Sequence, residues 1–159
     1  MVGRKREIRD LEERYAGNEA QLIAIYGRRR VGKTYLVNEL FKDRITFRHA
    51  GLSPIEHEGD GLLKKQLDQF YYSLVSQGME EAKKPKSWLE AFFLLEKYLQ
   101  DRDDGSRQLV FLDEMPWMDT PRPAVLTPLG GLWTRRGRHR NQPMGILCGR
   151  ASSWLLADP

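Results

Sequence analysis

The sequence predicts an α/β fold in which a mainly parallel sheet lies between helices, giving three layers. Two observations predict it. Short apolar runs typical of buried strands alternate along the 159 residues with runs whose apolar positions recur at helical spacing. A glycine-containing segment also joins the first apolar run directly to a helical run, as in a strand–loop–helix unit. Because a chain of this length can bury one substantial core, we expect a single domain over 1–159.

The N-terminal half is predicted to alternate helices and strands. In chain order, the predicted elements are a helix over 4–16, a strand over 21–26, a helix over 33–42, a strand over 45–49, a loop over 50–60 and a helix over 61–77. The inward faces of the first and last of these helices are predicted to consist of Ile8, Leu11 and Tyr15, and of Leu63, Leu67, Phe70 and Leu74.

The C-terminal half begins with a charged linker over 80–86. Ser87 and Glu90 form a capping-box pattern, which predicts the start of a helix. The apolar face of that helix consists of Trp88, Phe92, Leu95 and Leu99. A turn over 101–106 leads to a strand over 108–112, and 145–149 reads as the last strand. Prolines and glycines make 120–131 a poor or broken helix.

Residues 27–34 match the pattern G-x-x-x-x-G-K-[ST] of a phosphate-binding P-loop. Backbone amides in such a loop, continuing into a helix N-terminus, hold phosphate oxygens, and glycine permits the close approach. Lys33 would then contact the β- and γ-phosphates, and Thr34 would bind Mg²⁺ through its hydroxyl. The alternative is a glycine-containing surface turn before a helix. The predicted nucleotide-binding residues are Gly27, Arg28, Arg29, Arg30, Val31, Gly32, Lys33, Thr34 and Tyr35.

A second candidate site follows the apolar strand over 108–112, where two carboxylates stand together. Asp113 would support the Mg²⁺ shell beside Thr34, and Glu114 would orient or deprotonate the attacking water, as in a Walker B motif. Taken alone, the pair would more simply be two solvated acids that end a strand. The P-loop about 80 residues upstream reverses that preference, and the adjacent glutamate favours a hydrolase over a small-molecule kinase.

Composition excludes several classes of protein. No apolar run reaches the 18 or so residues of a membrane span, and residues 1–7 lack the apolar stretch that is typical of a signal peptide. Cys148 has no second cysteine to pair with, so we expect a buried thiol and a cytoplasmic protein. His49, His57 and His139 are scattered, which favours structural or solvent-facing roles over zinc binding or catalysis.

Positive charge is concentrated at the C-terminal end. Residues 1–120 carry 20 Lys and Arg against 21 Asp and Glu, whereas 121–159 carry six Arg against Asp158. The Arg-rich stretch 135–140 is either a solvated loop, a nucleic-acid contact or a source of arginines for a neighbouring subunit in a homo-oligomer.

Together these motifs resemble the N-terminal ATPase core of the archaeal-type and bacterial AAA-like P-loop ATPases, within the AAA+/STAND group. The resemblance covers almost the whole chain. It rests on residues 2–4 with 7, 8 and 11, on the Arg-rich P-loop 26–34, on 111–119 and on 146–149 followed by 151–154. It implies ATP and Mg²⁺ as ligands, an opening helix beside the adenine, and a sensor strand at 146–149. The preference for ATP over GTP rests on the resemblance alone.

Three departures from the family pattern stand out. Arg150 replaces a small polar residue after the sensor strand, and would either place a cation near the phosphate or disable the sensor. The segment 121–143 is rich in Pro, Gly and Arg where the family has a regular helix. The family also continues into a fifth strand and a helical lid, which we expect to be missing here, leaving the P-loop strand at an edge. We therefore expect the chain to be a truncated or degenerating product, or a fragment of a longer protein.

The sequence therefore predicts a Mg²⁺-dependent ATP-binding domain of hydrolytic ancestry. The alternative is a non-catalytic module that retains the fold and binds another protein or nucleic acid.

Overall fold

The computed structural model describes residues 5–17, 21–27, 32–53, 61–118, 125–136 and 144–150. These residues form six helices and four strands. In chain order they are α1 (Lys5–Ala16), β1 (Gln21–Gly27), α2 (Lys33–Phe41), β2 (Phe47–Ala50), α3 (Leu62–Ser76), α4 (Trp88–Asp101), β3 (Leu109–Asp113), α5 (Met115–Met118), α6 (Leu126–Arg136) and β4 (Met144–Arg150). The predicted strands and the predicted helices over 4–16, 33–42, 61–77 and from 87 onward are confirmed, with ends that differ by one or two residues. Residues 54–60 of the predicted loop lie outside the described residues.

The four strands form one parallel sheet in the order β1-β4-β3-β2. Within the described part of the chain, β1 therefore lies at one edge of the sheet, next to β4. The register pairs Gly27 with Arg150 and Ala50 with Asp113. Because parallel strands all end at the same side of the sheet, the P-loop strand and the strand that carries Asp113 end close together.

Successive residues of β3 face opposite sides of the sheet and belong to two different hydrophobic cores. Leu109 and Phe111 pack with buried residues of α1 and α2 on one face of the sheet. Val110 and Leu112 pack on the other face with the larger cluster contributed by α3, α4, α5 and α6. This period of two places one helical layer on each face and confirms the predicted three-layer α/β architecture.

The helix faces follow the prediction with one correction. Trp88, Phe92, Leu95 and Leu99 of α4 are buried, as are Leu67, Phe70 and Leu74 of α3. Leu63 was predicted to face inward, but it is 43% exposed. It lies in the first turn of α3, and the buried face of that helix is completed by Gln66 and Tyr71 instead.

The predicted capping box is formed in a modified way. The Ser87 hydroxyl accepts a hydrogen bond from the Glu90 amide at 3.2 Å, which satisfies one amide of the first turn of α4. The Glu90 carboxylate accepts from the amide of Lys86 at 2.9 Å, one residue before the position expected in a capping box.

The prediction of a poor helix over 120–131 is wrong for its second half, because α6 begins at Leu126. Pro128 is the third residue of the helix, where a backbone amide has no partner within the helix and its loss costs little. Leu129 and Leu132 are fully buried, and the Trp133 indole donates to the carbonyl of Gln21 at 2.9 Å. Packing against the sheet thus outweighs the low helix propensity of this segment.

None of the helices within the described ranges is both long and apolar enough to cross a membrane.

Candidate functional site

The candidate site lies at the carboxyl side of the sheet, where α2 begins shortly after β1 ends. Gly32 precedes α2 with φ 81°, in the left-handed region that favours glycine. The N-cap residue is Gly32 itself, which has no side chain to cap this end of the helix. The first-turn amides of an α-helix have no partners within the helix, and the helix dipole makes this end partly positive. The N-terminus of α2 is therefore suited to an anion.

The described part of the P-loop consists of its two ends. Gly27 ends β1 and Gly32 precedes α2. Lys33, Thr34 and Tyr35 form the first turn of α2. Thr34 and Tyr35 have exposed side chains at the start of the helix. The predicted binding residues Arg28, Arg29, Arg30 and Val31 lie outside the described residues, as does the side chain of Lys33.

A direct hydrogen bond joins the two predicted metal-binding residues. The Thr34 hydroxyl donates to Oδ2 of Asp113 at 2.6 Å, although 79 positions separate the two residues in the chain. A hydroxyl and a carboxylate at this separation fit Mg²⁺, which prefers oxygen donors, takes few protein ligands and keeps several of its waters. The fold thus brings together the two groups that the sequence analysis paired from their motifs.

Glu114 follows Asp113 in a strained backbone conformation. Its φ of 49° places a residue with a side chain in the left-handed region. The Glu114 amide donates to Oδ1 of Asp113 at 2.9 Å, and its carbonyl accepts from the amide of Trp117 at 3.0 Å. The chain therefore turns sharply at the end of β3, directly after Asp113.

The loop after β2 lies directly against this turn. The Gly51 amide donates to the carbonyl of Asp113 at 3.0 Å. A Cβ at Gly51 would lie 2.6 Å from the Glu114 carbonyl oxygen and 2.9 Å from Cγ of Met118. Glycine is thus required here by the close approach of backbone to backbone.

Gln66 is a buried polar residue that the sequence analysis missed. Its amide nitrogen donates to the carbonyls of Leu52 and Trp117, both at 2.9 Å, and its oxygen accepts from the Leu52 amide at 3.0 Å. One side chain of α3 therefore joins the loop after β2 to the segment after Glu114. The sequence signal that could have identified it is a glutamine on the inner face of an amphipathic helix, since a buried polar side chain needs hydrogen-bond partners.

A cavity of about 340 Å³ opens beside the Thr34–Asp113 pair. Asn38, Arg48, Ser73 and Gln77 contribute to its lining. The Arg48 guanidinium donates to the Asn38 side chain at 2.8 Å. The Gln77 amide group bonds both the amide and the carbonyl of Arg48, at 3.0 and 2.7 Å, and so covers part of the outer edge of β2.

His49 also lines this cavity, and it is buried. Of the structural and solvent-facing roles predicted for the histidines, burial excludes the solvent-facing one for His49. Only 5% of it is exposed, its Nδ1 lies 2.7 Å from the Ser73 hydroxyl, and its ring packs edge-on against Phe70. Within the described ranges Nε2 has no hydrogen-bond partner. Burial lowers the pKa of His49 to about 4, because a charged imidazole would lose its hydration there. The ring is therefore neutral at pH 7.

The structure places Arg135 in a helix instead of a solvated loop. Its Nε donates to both carboxylate oxygens of Glu96, at 2.9 and 3.1 Å, and Glu96 is itself buried. Arg135 is thus engaged within the protein, and residues 137–140 of the Arg-rich stretch lie outside the described residues. The same holds for the side chains of Arg136, Cys148 and Arg150. The nucleic-acid role of 135–140 stays a prediction.

Sequence comparison finds relatives in Methanocaldococcus jannaschii. An uncharacterized ATP-binding protein is 46% identical over 44 residues, which are 28% of this chain and 75% of that protein. A longer uncharacterized protein is 32% identical over 127 residues, which are 80% of this chain and 24% of that protein. No family model matches the chain.

Among solved structures, the fold is similar to a Walker-type ATPase, an ORC2 protein and a Cdc6 protein. Cdc6p from Pyrobaculum aerophilum matches with a TM-score of 0.60 at 16% identity, over 99% of this chain and 42% of that one. The ORC2 protein of Aeropyrum pernix, in ADPNP and ADP complexes, matches with a TM-score of 0.59 at 19% identity, over 97% of this chain and 44% of that one. A Walker-type ATPase of Pyrococcus abyssi matches with a TM-score of 0.50 at 20% identity, over 94% of this chain and 45% of that one. The chain spans less than half of each solved structure.

The shared P-loop fold, the position of the Thr34–Asp113 pair and the archaeal relatives define the class. This chain belongs to the archaeal-type and bacterial AAA-like P-loop ATPase family.

Proposed function

We propose that this chain binds Mg-ATP at the N-terminus of α2 and is the nucleotide-hydrolysing core of its protein. The observation that carries the proposal is the 2.6 Å hydrogen bond between the Thr34 hydroxyl and Asp113. It joins the end of the P-loop to the end of β3 at the helix terminus suited to phosphate. The name of one relative, an ATP-binding protein, supports the choice of ligand.

The roles proposed for the P-loop residues follow from their chemistry. The first-turn amides of α2 and the amides of 27–32 would hold the phosphate oxygens, and the lysine ammonium of Lys33 would neutralise the β- and γ-phosphates. Arg28, Arg29 and Arg30 would raise the local concentration of anions. Tyr35, in the first turn of α2, would line the entrance.

Thr34 and Asp113 would hold Mg²⁺, in part through its waters. When bound, the ion neutralises charge on the phosphates and fixes their orientation. The protein's contribution is to hold the hydroxyl and the carboxylate together, as the hydrogen bond between them and the Glu114 amide already do.

Glu114 is proposed as the catalytic residue. Its carboxylate would accept a proton from the water that attacks the γ-phosphate, or orient that water in line with the leaving group. The left-handed backbone of Glu114 turns the chain directly after Asp113. The carboxylate of Asp113 would then serve the metal and that of Glu114 the water. Partial burial shields it from bulk water.

The experiment that tests the proposal is the binding of a fluorescent ATP analogue with and without Mg²⁺. Asp113→Asn should remove most of the Mg²⁺-dependent gain in affinity, whereas Asp43→Asn, a change to an exposed aspartate after α2, should leave it unchanged. Equal Mg²⁺ dependence in wild type and Asp113→Asn would contradict the assignment of Asp113. Absence of ATP binding by the wild type would favour the alternative of a non-catalytic interaction module.

A further inference from the structure

A groove lies between α4, the preceding linker and the end of α6, and we call it the α4 groove. Its volume is about 630 Å³, within the range of ligand-binding pockets. It is lined by Pro85, Leu89, Phe93, Leu94 and the charged residues Lys83, Lys84, Glu90, Glu96 and Arg135. None of these residues belongs to the proposed nucleotide site, so the inference below does not rest on nucleotide binding.

The apolar part of the α4 groove is unusually exposed for side chains of this size. Leu89 is 63% exposed and Phe93 54% exposed. They are four residues apart on α4 and therefore project from the same side of the helix, one turn apart. Leu94 contributes a partly buried apolar surface beside them. Exposed apolar side chains that line one groove are typical of a surface that binds a partner.

The carboxylates and the lysines around the groove differ in the partners that they have within the protein. Glu96 is bound by Arg135 at 2.9 Å, and the Glu90 carboxylate accepts from the Lys86 amide. Lys83 and Lys84 form no ion pair within the described part of the chain. The Lys84 ammonium is held over the Tyr72 ring and donates to its hydroxyl at 2.8 Å.

A further cation stands at the opposite side of the apolar surface. The Lys97 ammonium lies 5.2 Å from the centre of the Phe93 ring, one turn along α4. Arg135 neutralises Glu96, and Glu90 remains as one negative charge at the groove. Lys83, Lys84 and Lys97 carry three positive charges that no carboxylate pairs within the described residues. The groove therefore combines an apolar floor with a positive rim.

We propose that the α4 groove binds an acidic amphipathic helix of a partner protein. Two or three large apolar side chains at helical spacing would pack on Leu89 and Phe93, and flanking carboxylates would meet Lys83, Lys84 and Lys97. A second copy of this chain is a poorer occupant. A two-fold interface centred on this groove would bring together two surfaces that both carry a net positive charge.

The test uses a fluorescein-labelled synthetic helix of leucines at helical spacing separated by glutamates, with fluorescence anisotropy as the readout. A second peptide carries lysine in place of each glutamate. The glutamate peptide should bind and the lysine peptide should bind at least about tenfold more weakly. Phe93→Ser should weaken binding by about tenfold or more, as for a buried aromatic anchor. The double variant Lys83→Glu, Lys84→Glu should weaken it similarly and reduce its salt dependence.

Leu63→Ser is the matched control, because it removes an exposed leucine from α3 outside the groove. It should leave peptide binding unchanged, and cooperative thermal unfolding of every variant excludes misfolding as the cause of a loss.

Several results would overturn the proposal. They are no binding of the glutamate peptide at low salt, equal binding of the two peptides, and full binding by Phe93→Ser. A dimer in sedimentation that Phe93→Ser dissociates would show instead that the groove joins two copies of this chain.

Discussion

At the scale of single residues, the turn at Glu114 contains most of the chemistry of the candidate site. Asp113 accepts hydrogen bonds from Thr34 and from the Glu114 amide, and Glu114 adopts a left-handed backbone. Such strain costs on the order of 1–3 kcal/mol and persists where the surrounding structure enforces it. Here the close packing of Gly51 and the hydrogen bonds of Gln66 on both sides of the turn do so.

The first prediction concerns Glu114→Gln. Removing the carboxylate should lower ATP turnover by about 10²- to 10⁴-fold, because an amide accepts no proton from the attacking water. Binding of Mg-ATP should be retained, because Asp113 and the P-loop are unchanged. Parallel measurement of phosphate release and nucleotide affinity checks both parts. Wild-type turnover in this variant would remove Glu114 from the mechanism.

A second prediction follows from the buried neutral imidazole of His49. Its pKa is about 4 in the folded protein against about 6.5 in the unfolded chain, so the unfolded chain binds more protons between these values. The contribution of His49 to stability therefore falls as pH decreases through this window, by about 2 kcal/mol between pH 7.5 and pH 5.

His49→Phe keeps an aromatic ring against Phe70 but does not titrate. Urea unfolding at the two pH values should show a smaller loss of stability in the variant than in the wild type, by about that amount. Equal losses in the two proteins would show that His49 does not titrate in this window.

At the scale of elements, α3 positions the loops that build the site. Gln66 is fully buried, and its side chain holds Leu52 after β2 and Trp117 in α5. The candidate catalytic turn thus depends on a helix that is distant from it in the chain.

We therefore predict that Gln66→Met destabilises the protein by about 3 kcal/mol, because backbone groups of Leu52 and Trp117 lose their partners. For a chain of this length that corresponds to roughly 6–12 °C in Tm. Gln69→Met, an exposed change in the same helix, should have little effect. Equal thermal shifts for the two variants would show that the Gln66 hydrogen bonds contribute nothing measurable.

The same elements show what could be predicted from sequence. The strands and the helices with a clear apolar period were predicted to within one or two residues, because burial of one face produces the apolar pattern in the sequence. α6 was missed, because its stability comes from Leu129, Leu132 and Trp133 packing on other elements and not from local propensity.

The candidate site was predictable in part. Thr34 and Asp113 were paired from their motifs, and the structure brings them together. The contacts of Gln66, the Gly51 packing and the Arg135–Glu96 ion pair depend on distant segments, which no local pattern reveals.

At the scale of the whole molecule, the fold places the ends of β1 and β3 at one side of a parallel sheet, separated by β4. Arg150, the last residue of β4, is paired with Gly27 in this register, so its backbone lies beside the start of the P-loop. The central claim is that this arrangement binds a nucleotide through Lys33 and the N-terminus of α2.

Thermal unfolding with and without Mg-ATP tests that claim most directly. A ligand that binds only the folded state stabilises it by about 2.7 kcal/mol at a hundred times its Kd, which is a shift of roughly 5–11 °C for this length. The wild type and Lys42→Ala, a change just after the other end of α2, should show the shift, and Lys33→Ala should lose it. A cooperative wild-type transition that Mg-ATP leaves unmoved, or an equal shift in Lys33→Ala, would contradict the account.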